Sequence, residues 1–301
     1  MEKLNIHEEV RANKRRTYVL IFSFILFIAA LGYVLGFILA TPILGLIIAL
    51  IGALFYTVIM YMNGSNLVLK TTGAKEATKK EHPHLFHTVE GLALAAGIPT
   101  PKCYVIEDTA LNAFATGTKP ENASITVTTG LLKKLNRQEL EGVIAHEMSH
   151  IKNYDIRIML ITVVLIGVTI LLSDLIIRSY LWGGHGNKNR DTNQLTIILI
   201  ITAFILAILA PIIAELIKLA VSRRREYLAD ANGAVLCRNP EALASALERI
   251  KEDPDPLVDK ANKATAHLFI SSPFRKTKGL VTKLFSTHPD IDDRIRRLRA
   301  M

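Results

Sequence analysis

The sequence predicts a mainly α integral membrane protein with four transmembrane helices and a cytosolic α+β domain built around a small sheet. Three observations carry that prediction. Half of the 301 residues are hydrophobic and the mean hydropathy is +0.31. Aromatics make up only 7%, so the excess is aliphatic and suits lipid as well as a protein core. Four apolar runs also approach the length of about 20 helical residues that a bilayer demands.

The runs come in two pairs. Tyr18–Ala40 is uncharged, and Ile43–Met62 follows after only Thr41 and Pro42, which predicts a tight transmembrane hairpin over 18–62. The first run is too long for a cleaved signal peptide, and a second span follows at once. Ile158–Ile177, with Asp174 near its end, and Leu195–Ile217, with Pro211 and Glu215 inside it, predict a second hairpin within 156–217. Those internal charges leave a buried helical hairpin as the alternative for the second pair.

Charge sets the orientation. The formal net charge is +9, and Lys14, Arg15, Arg16 and Arg223, Arg224, Arg225 abut apolar runs. That is the positive-inside pattern, and it puts a basic tail over 1–17 and the segments 63–155 and 218–301 in the cytosol. The basic residues form no aromatic-flanked patch, so nucleic acid is not an expected partner. The run from Arg294 to Arg299 follows Asp292 and Asp293 and reads as the solvated face of a helix. Cys103 and Cys237 lie far apart and form no CxxC, so two plain thiols are expected.

The cytosolic segments show alternating periodicities. Helices are predicted over His84–Ala96, ending near Gly97, and over Gln138–Lys152, with Glu139 and Glu141 in an acidic first turn. Two more are predicted over Glu241–Lys251 and Asp290–Leu298. Lys102–Ile106 and Ala123–Thr128 read as short strands.

The chemistry lies in His146-Glu147-Met148-Ser149-His150. Positions i and i+4 share a helix face, so both imidazoles can reach one metal ion. Zinc accepts three protein ligands and keeps a fourth position for water, and Glu147 can accept that water's proton as it attacks a carbonyl. HExxH on a helix is the metalloprotease spacing. Leu140, Val143, Ile144 and Ala145 give this helix an apolar face, which argues against two merely superficial histidines. The third ligand stays open on spacing alone. His82, His84 and His87 surround Pro83 and read as a solvated helix start, and His185 falls on the far side of the membrane. Glu226 is on the correct side, and Asp230, four residues on, shares its helix face and could fix the ring of a ligating histidine. An ordinary charged juxtamembrane helix is the competing reading.

The strings HEMSHIKNYD (146–155), SRRREYLAD (222–230), NAFATG (112–117) and THPD (287–290), in this order and with a hairpin between the first two, resemble the HtpX family of membrane metalloproteases, related to the prenyl-protein endoproteases. The resemblance covers nearly the whole chain. It implies a zincin-like catalytic domain and one zinc ion (Zn2+) held by His146, His150 and Glu226. Glu147 would then be the catalytic base, and Asp230 the carboxylate behind a ligand. It also implies a multi-pass enzyme of the cell membrane with a cytosolic active site, acting on protein or peptide substrates, membrane proteins among them, in quality control under stress. Asn112 and Phe114 fall where zincin-like enzymes run an edge strand, which an extended substrate can join by backbone hydrogen bonds. A buried strand end is the equal alternative for Phe114. His288, before Pro289, is a candidate for stabilising the oxyanion. Arg294 could pair with an active-site acid, but its basic run favours the solvated face, and Glu215 could face the helix bundle or reach toward the interface. A prenyl-peptide protease and a catalytically silent membrane scaffold are the competing functions. Four spans leave little room for the chamber of the first, and an intact Glu147 argues against the second.

Overall fold

The computed structural model describes residues 6–38, 41–167, 223–253, 255, 268–270 and 289–301. Helices α1 (Ile6–Ile38) and α2 (Pro42–Thr71) form an antiparallel hairpin, with Pro42 in the first turn of α2. Small residues let the two backbones approach. A Cβ on Gly32 would lie 2.2 Å from that of Ala49, and one on Gly45 would lie 2.4 Å from the Gly32 carbonyl oxygen. Gly32 with Gly36, and Gly45 with Ala49, give both helices the small-xxx-small spacing of membrane helix pairs. Both helices outrun their apolar segments: α1 begins well before Tyr18, and α2 continues unbroken through Asn63.

Val10–Val34 and Pro42–Thr71 are long and apolar enough to cross a membrane. The apolar stretch of α2 has a mean hydropathy of 2.6, yet only 6% of it is buried. Ile43, Phe55 and Met62 stand out from it. A core helix of a water-soluble domain would be covered, so this surface calls for an apolar solvent. The third apolar run is described only up to residue 167, and Leu195–Ile217 lies outside the described residues.

The remaining segments fold around a four-stranded mixed sheet. Its strands are β1 (Lys75–Glu76), β2 (Lys102–Ile106), β3 (Ala113–Thr116) and β4 (Ser124–Thr128), in the order β1-β2-β4-β3. β2 and β4 are parallel, with Lys102 opposite Ser124, while β3 runs antiparallel to β4 at the sheet edge, with Ala113 opposite Val127. The helices are α3 (Pro83–Ala96), α4 (Thr129–Lys134), α5 (Arg137–Lys152), α6 (155–167), α7 (Arg223–Cys237), α8 (Pro240–Glu252) and α9 (Ile291–Arg299). Local signals account for their ends. α3 stops at Gly97, which takes the left-handed conformation with φ 69°. α5 starts in a capping box: Asn136 Oδ1 accepts from the Glu139 N–H at 2.9 Å, and Glu139 Oε2 accepts from the Asn136 N–H at 2.8 Å. Asn239 caps α8, and Asp290 caps α9.

Helix α5 is the centre of the domain. Its residues from Glu139 to Ile151 are buried except Glu141, which is half-buried. Val143, Ile144 and Met148 join the main core with Leu85 and Val89 of α3, Ile125 of β4 and Leu247 of α8. Each such buried aliphatic contributes roughly 1.5–3 kcal/mol. Gly142 lets α8 in close, since a Cβ there would meet the Leu243 nitrogen at 2.6 Å. α6 then ties this domain to the hairpin. Ile158, Ile161 and Leu165 pack on Leu20 and Phe24 of α1, while Met159, Leu160 and Val163 pack with Val68 of α2 and Phe114 of β3. Cys103 is buried, Cys237 is half-buried, and both are free thiols.

Candidate active site

One helical turn separates His146 from His150 on α5. Their rings lie 4.7 Å apart at 89°, and their Nε2 atoms are 3.1 Å apart. The other nitrogen of each ring meets a carboxylate. His146 Nδ1 lies 2.9 Å from Asp230 Oδ1, and His150 Nδ1 lies 2.9 Å from Asp155 Oδ2. When Nδ1 donates to its carboxylate, a neutral ring keeps a lone pair on Nε2. Two such lone pairs cannot bond to each other. Glu226 adds negative oxygens 3.8 Å from the first Nε2 and 3.6 Å from the second. The ligand atoms of the three buried residues all lie within 4.8 Å of one another. A divalent cation among them would satisfy all three, and two imidazoles with one carboxylate form a donor set suited to a catalytic metal. The residues therefore fit the ion that the HExxH spacing predicts.

α7 carries its part of the site on one face. Glu226, Asp230 and Gly233 are spaced i, i+4 and i+7. Gly233 allows the approach to α5, because a Cβ there would sit 3.0 Å from the His146 nitrogen and 3.1 Å from its Cα. A third helix locks these acids. Arg294 of α9 donates through Nε to Asp230 Oδ2 at 2.9 Å and through a terminal nitrogen to Asp230 Oδ1 at 2.7 Å. Its other terminal nitrogen lies 3.7 Å from Glu226 Oε2 and donates to the Ile270 carbonyl at 3.4 Å. The sequence reading of a solvated basic run holds for Arg296, Arg297 and Arg299, which are exposed, but not for Arg294, which is 1% exposed. Arg294 shares the inner face of α9 with Ile295 and Leu298, and the acids of α7 compensate its charge.

Asp155, at the start of α6, is held from the membrane side. Asn13 of α1 donates its amide to Asp155 Oδ1 at 2.7 Å and to the Asn153 carbonyl at 3.0 Å. Arg225 Nε lies 3.5 Å from the same Asp155 oxygen. Asn13 is itself buried. Asp155 and Asn13 are the residues of this centre that sequence reasoning missed, and Arg294 is the one whose pairing with an active-site acid it ranked below a solvated face. Asp155 closes the HEMSHIKNYD string and was legible there as an acid near a ligand. Asn13 had no signal beyond being a polar residue beside an apolar run.

Glu147 lies beside the metal-ligand group and next to the sheet edge. Burial pushes its carboxyl up to about 7, against the downward pull of His150 and of a hydrogen bond from the Ala115 backbone. Burial opposes a charge on His150, but Asp155, Glu226 and Glu147 outweigh it and hold that imidazole up at about 9. Burial dominates at His146 and lowers its pKa despite Asp230. At Asp230 burial works upward, and Arg294 with His146 reverses the sign to leave the carboxyl low. The cluster without a cation therefore favours a proton on His150, which a metal would displace.

The weaker candidates scatter. Asn112 is buried just before β3, where its backbone pairs with Thr128 and its side-chain oxygen accepts from the Ala113 N–H. The Phe114 side chain is fully buried and packs edge-to-face on Phe269 at 5.1 Å, in the cluster shared with α2 and α6. The outward edge of β3 carries the Ala113 carbonyl, which accepts from the Ile270 N–H at 2.9 Å, and the Ala115 backbone bonded to Glu147. His288, His185 and Glu215 lie outside the described residues. His84 and His87 are exposed at the start of α3, with His82 half-buried before it, as a solvated helix start requires.

Residues 79–301 match the family model described as Peptidase family M48. A protease HtpX homolog of Dictyoglomus thermophilum is 47% identical, covering 100% of this chain and 96% of its own. Homologs named in the same way from Caldanaerobacter subterraneus subsp. tengcongensis and Streptococcus gordonii are 46% and 42% identical, with at least 98% of each chain covered. A crystal structure of S. mikatae Ste24p aligns over 88% of this chain and 63% of its own, at 18% identity and a TM-score of 0.48. The family model spans every residue of the site except Asn13, and the HtpX proteases align end to end, so the chain belongs to peptidase family M48 and is a membrane metalloendopeptidase.

Proposed function

We propose that this metallopeptidase uses one zinc ion, held by His146, His150 and Glu226, to cut membrane or misfolded proteins at the cytosolic face of the plasma membrane. The observation that carries the reading is the pair of facing Nε2 atoms 3.1 Å apart, each ring fixed from behind by a carboxylate, with Glu226 closing the third side. Neutral imidazoles and a carboxylate at this separation favour zinc over the oxygen-seeking cations.

When bound, the ion would supply Lewis acidity, making a water more acidic and polarising a peptide carbonyl. Glu147 would take the proton of that water and later deliver it to the leaving amine. Its raised pKa, about 7 before any cation is counted, keeps it able to exchange protons near neutrality. Asp230 and Asp155 hold the imidazole rings in the tautomer that points Nε2 at the ion. An extended substrate would join the backbone of β3 beside Asn112 and next to Glu147 by displacing the Ile270 N–H from the Ala113 carbonyl, and Phe114 supports that edge from the core rather than touching substrate. His288 retains its proposed role at the oxyanion.

Four spans and a cytosolic site are part of the same proposal. Lys14, Arg15 and Arg16 on α1 and Arg223, Arg224 and Arg225 on α7 mark one membrane face, and the positive-inside rule makes it cytosolic. A silent scaffold is disfavoured because a buried Glu147 with a raised pKa costs stability and serves no packing purpose.

The test uses the full-length protein in detergent micelles. Casein cleavage should vanish with a chelator, return with zinc, and be absent in Glu147→Gln at unchanged zinc content. Cleavage by the Glu147→Gln variant at the wild-type rate would rule out the mechanism.

A further inference from the structure

We propose that the cleft between α1 and α6 is a binding site for one anionic phospholipid, with Arg15 and Arg16 on its phosphate and Val19, Leu20 and Ile158 along the start of an acyl chain. These five residues line a cleft of about 110 Å³. Its two ends differ in chemistry. Leu20 and Ile158 are buried in the α1–α6 contact and make an aliphatic wall, while Val19 stands beside it, 57% exposed. At the other end are two exposed guanidinium side chains.

Those guanidiniums lack an acidic partner among the described residues. Among the described residues neither pairs with a carboxylate, and Arg16 makes only a long 3.4 Å contact with Asn13 Oδ1. The neighbouring basic groups are engaged inside the protein. Lys14 sits 4.2 Å above the Tyr154 ring, Arg157 donates to the Thr118 carbonyl at 2.6 Å, and Arg225 faces Asp155 at 3.5 Å. Arg15 and Arg16 are left facing outward at the level where the charge-free part of α1 begins, directly before Thr17 and Tyr18. In a bilayer that level is the headgroup layer.

The shape selects the occupant. A guanidinium fork matches a phosphate diester, and two of them favour a lipid with net negative charge over a zwitterionic one, whose ammonium would meet them. A free phosphate would satisfy the arginines but leave the aliphatic wall unfilled. A phospholipid does both, and phosphatidylglycerol is the simplest probe of that class.

The test is lipid binding to the full-length protein in neutral detergent, read by native mass spectrometry across a titration with phosphatidylglycerol or phosphatidylcholine. Wild type should retain phosphatidylglycerol preferentially. Each arginine should be worth roughly fivefold in affinity, so Arg15→Gln loses about fivefold and the Arg15→Gln/Arg16→Gln double variant about twenty- to thirtyfold. Arg11→Gln removes a charge from the same helix away from the cleft and should change affinity less than twofold. Arg15 is exposed and makes no hydrogen bond or ion pair among the described residues, so its single variant tests the site even if the double variant does not fold. Equal loss in Arg11→Gln and Arg15→Gln would mean diffuse attraction and would overturn the proposal. So would equal retention of the two lipids by wild type, or displacement of phosphatidylglycerol by millimolar inorganic phosphate.

Discussion

Asn13→Leu tests whether the first membrane helix holds the metal centre in shape. The substitution removes a 2.7 Å bond to Asp155 Oδ1 and a 3.0 Å bond to the Asn153 carbonyl. A bond to a charged acceptor is worth about 1.5–3 kcal/mol net, and one to a neutral carbonyl about 0.5–1.5 kcal/mol. Arg225, 3.5 Å from the same carboxylate oxygen, can take over part of the first. Most of the loss falls on stability. The part that reaches the ion does so through the grip of Asp155 on His150 Nδ1 at 2.9 Å. Removing such a carboxylate outright typically weakens metal binding 10- to 100-fold. Loosening it from one step further out should therefore give about tenfold, equivalent to about 1.4 kcal/mol. The assay is a titration of metal-free full-length protein with chelator-buffered zinc, with thermal unfolding of the metal-free protein measured separately. Asp155→Asn sets the upper reference. If Asn13→Leu binds zinc within twofold of wild type while Asp155→Asn loses tenfold or more, the link from α1 to the metal centre does not exist.

Two further outcomes follow from the buried charges. Arg294→Leu leaves Asp230 and Glu226 facing each other without a cation, a change that typically costs about 3–5 kcal/mol, so its metal-free form should melt well below wild type and zinc should recover part of the difference; an unchanged melting temperature would mean that Arg294 does not balance these acids. Burial raises the Glu147 carboxyl to about 7 in the folded protein, from an ordinary value of 4.5, so the native state holds its proton more tightly than the unfolded chain. Its contribution is full below about pH 4.5 and is lost as pH rises through 7, amounting to about 3 kcal/mol. Metal-free Glu147→Gln should accordingly be more stable than wild type at pH 8 and match it near pH 4, and denaturant melts at the two pH values check the sign.

The legible parts of the fold were those with local causes. Helix α5 announced itself through an apolar face and an acidic first turn, and β2 and β4 through short runs with strand alternation. β1 is two residues long and exists only because β2 offers it an edge, so no local pattern could mark it. The same division runs through the site. His146, Glu147 and His150 share one turn of one helix, whereas Glu226 needed a family pattern because nothing local ties α7 to α5. Arg294 was ranked as a solvated residue, ahead of its pairing with an acid, for a related reason. An arginine amid Asp292, Asp293, Arg296 and Arg297 has the composition of a solvated face, and only the position of the α7 acids decides that this one turns inward.

Gly233 shows how a contact without chemistry can govern the chemistry. Its missing side chain sets the distance between α7 and α5, and so the distance from Glu226 and Asp230 to the two imidazoles. A methyl group at this position would meet backbone atoms of His146 at 3.0–3.1 Å, which rotamer changes cannot relieve. The helices would have to part by a few tenths of an ångström. The Glu226 oxygens, 3.6–3.8 Å from both Nε2 atoms, would recede with α7, while Asp155 would keep its grip on His150 because it arrives from α6. The two halves of the site thus fail separately. Loss of the α7 approach removes the proposed third ligand and loosens His146, whereas loss of the α1–α6 approach loosens His150. The five helices that bring residues to the centre (α1, α5, α6, α7 and α9) meet only when the membrane hairpin and the catalytic domain are both in register, which would tie peptidase activity to a correctly inserted chain.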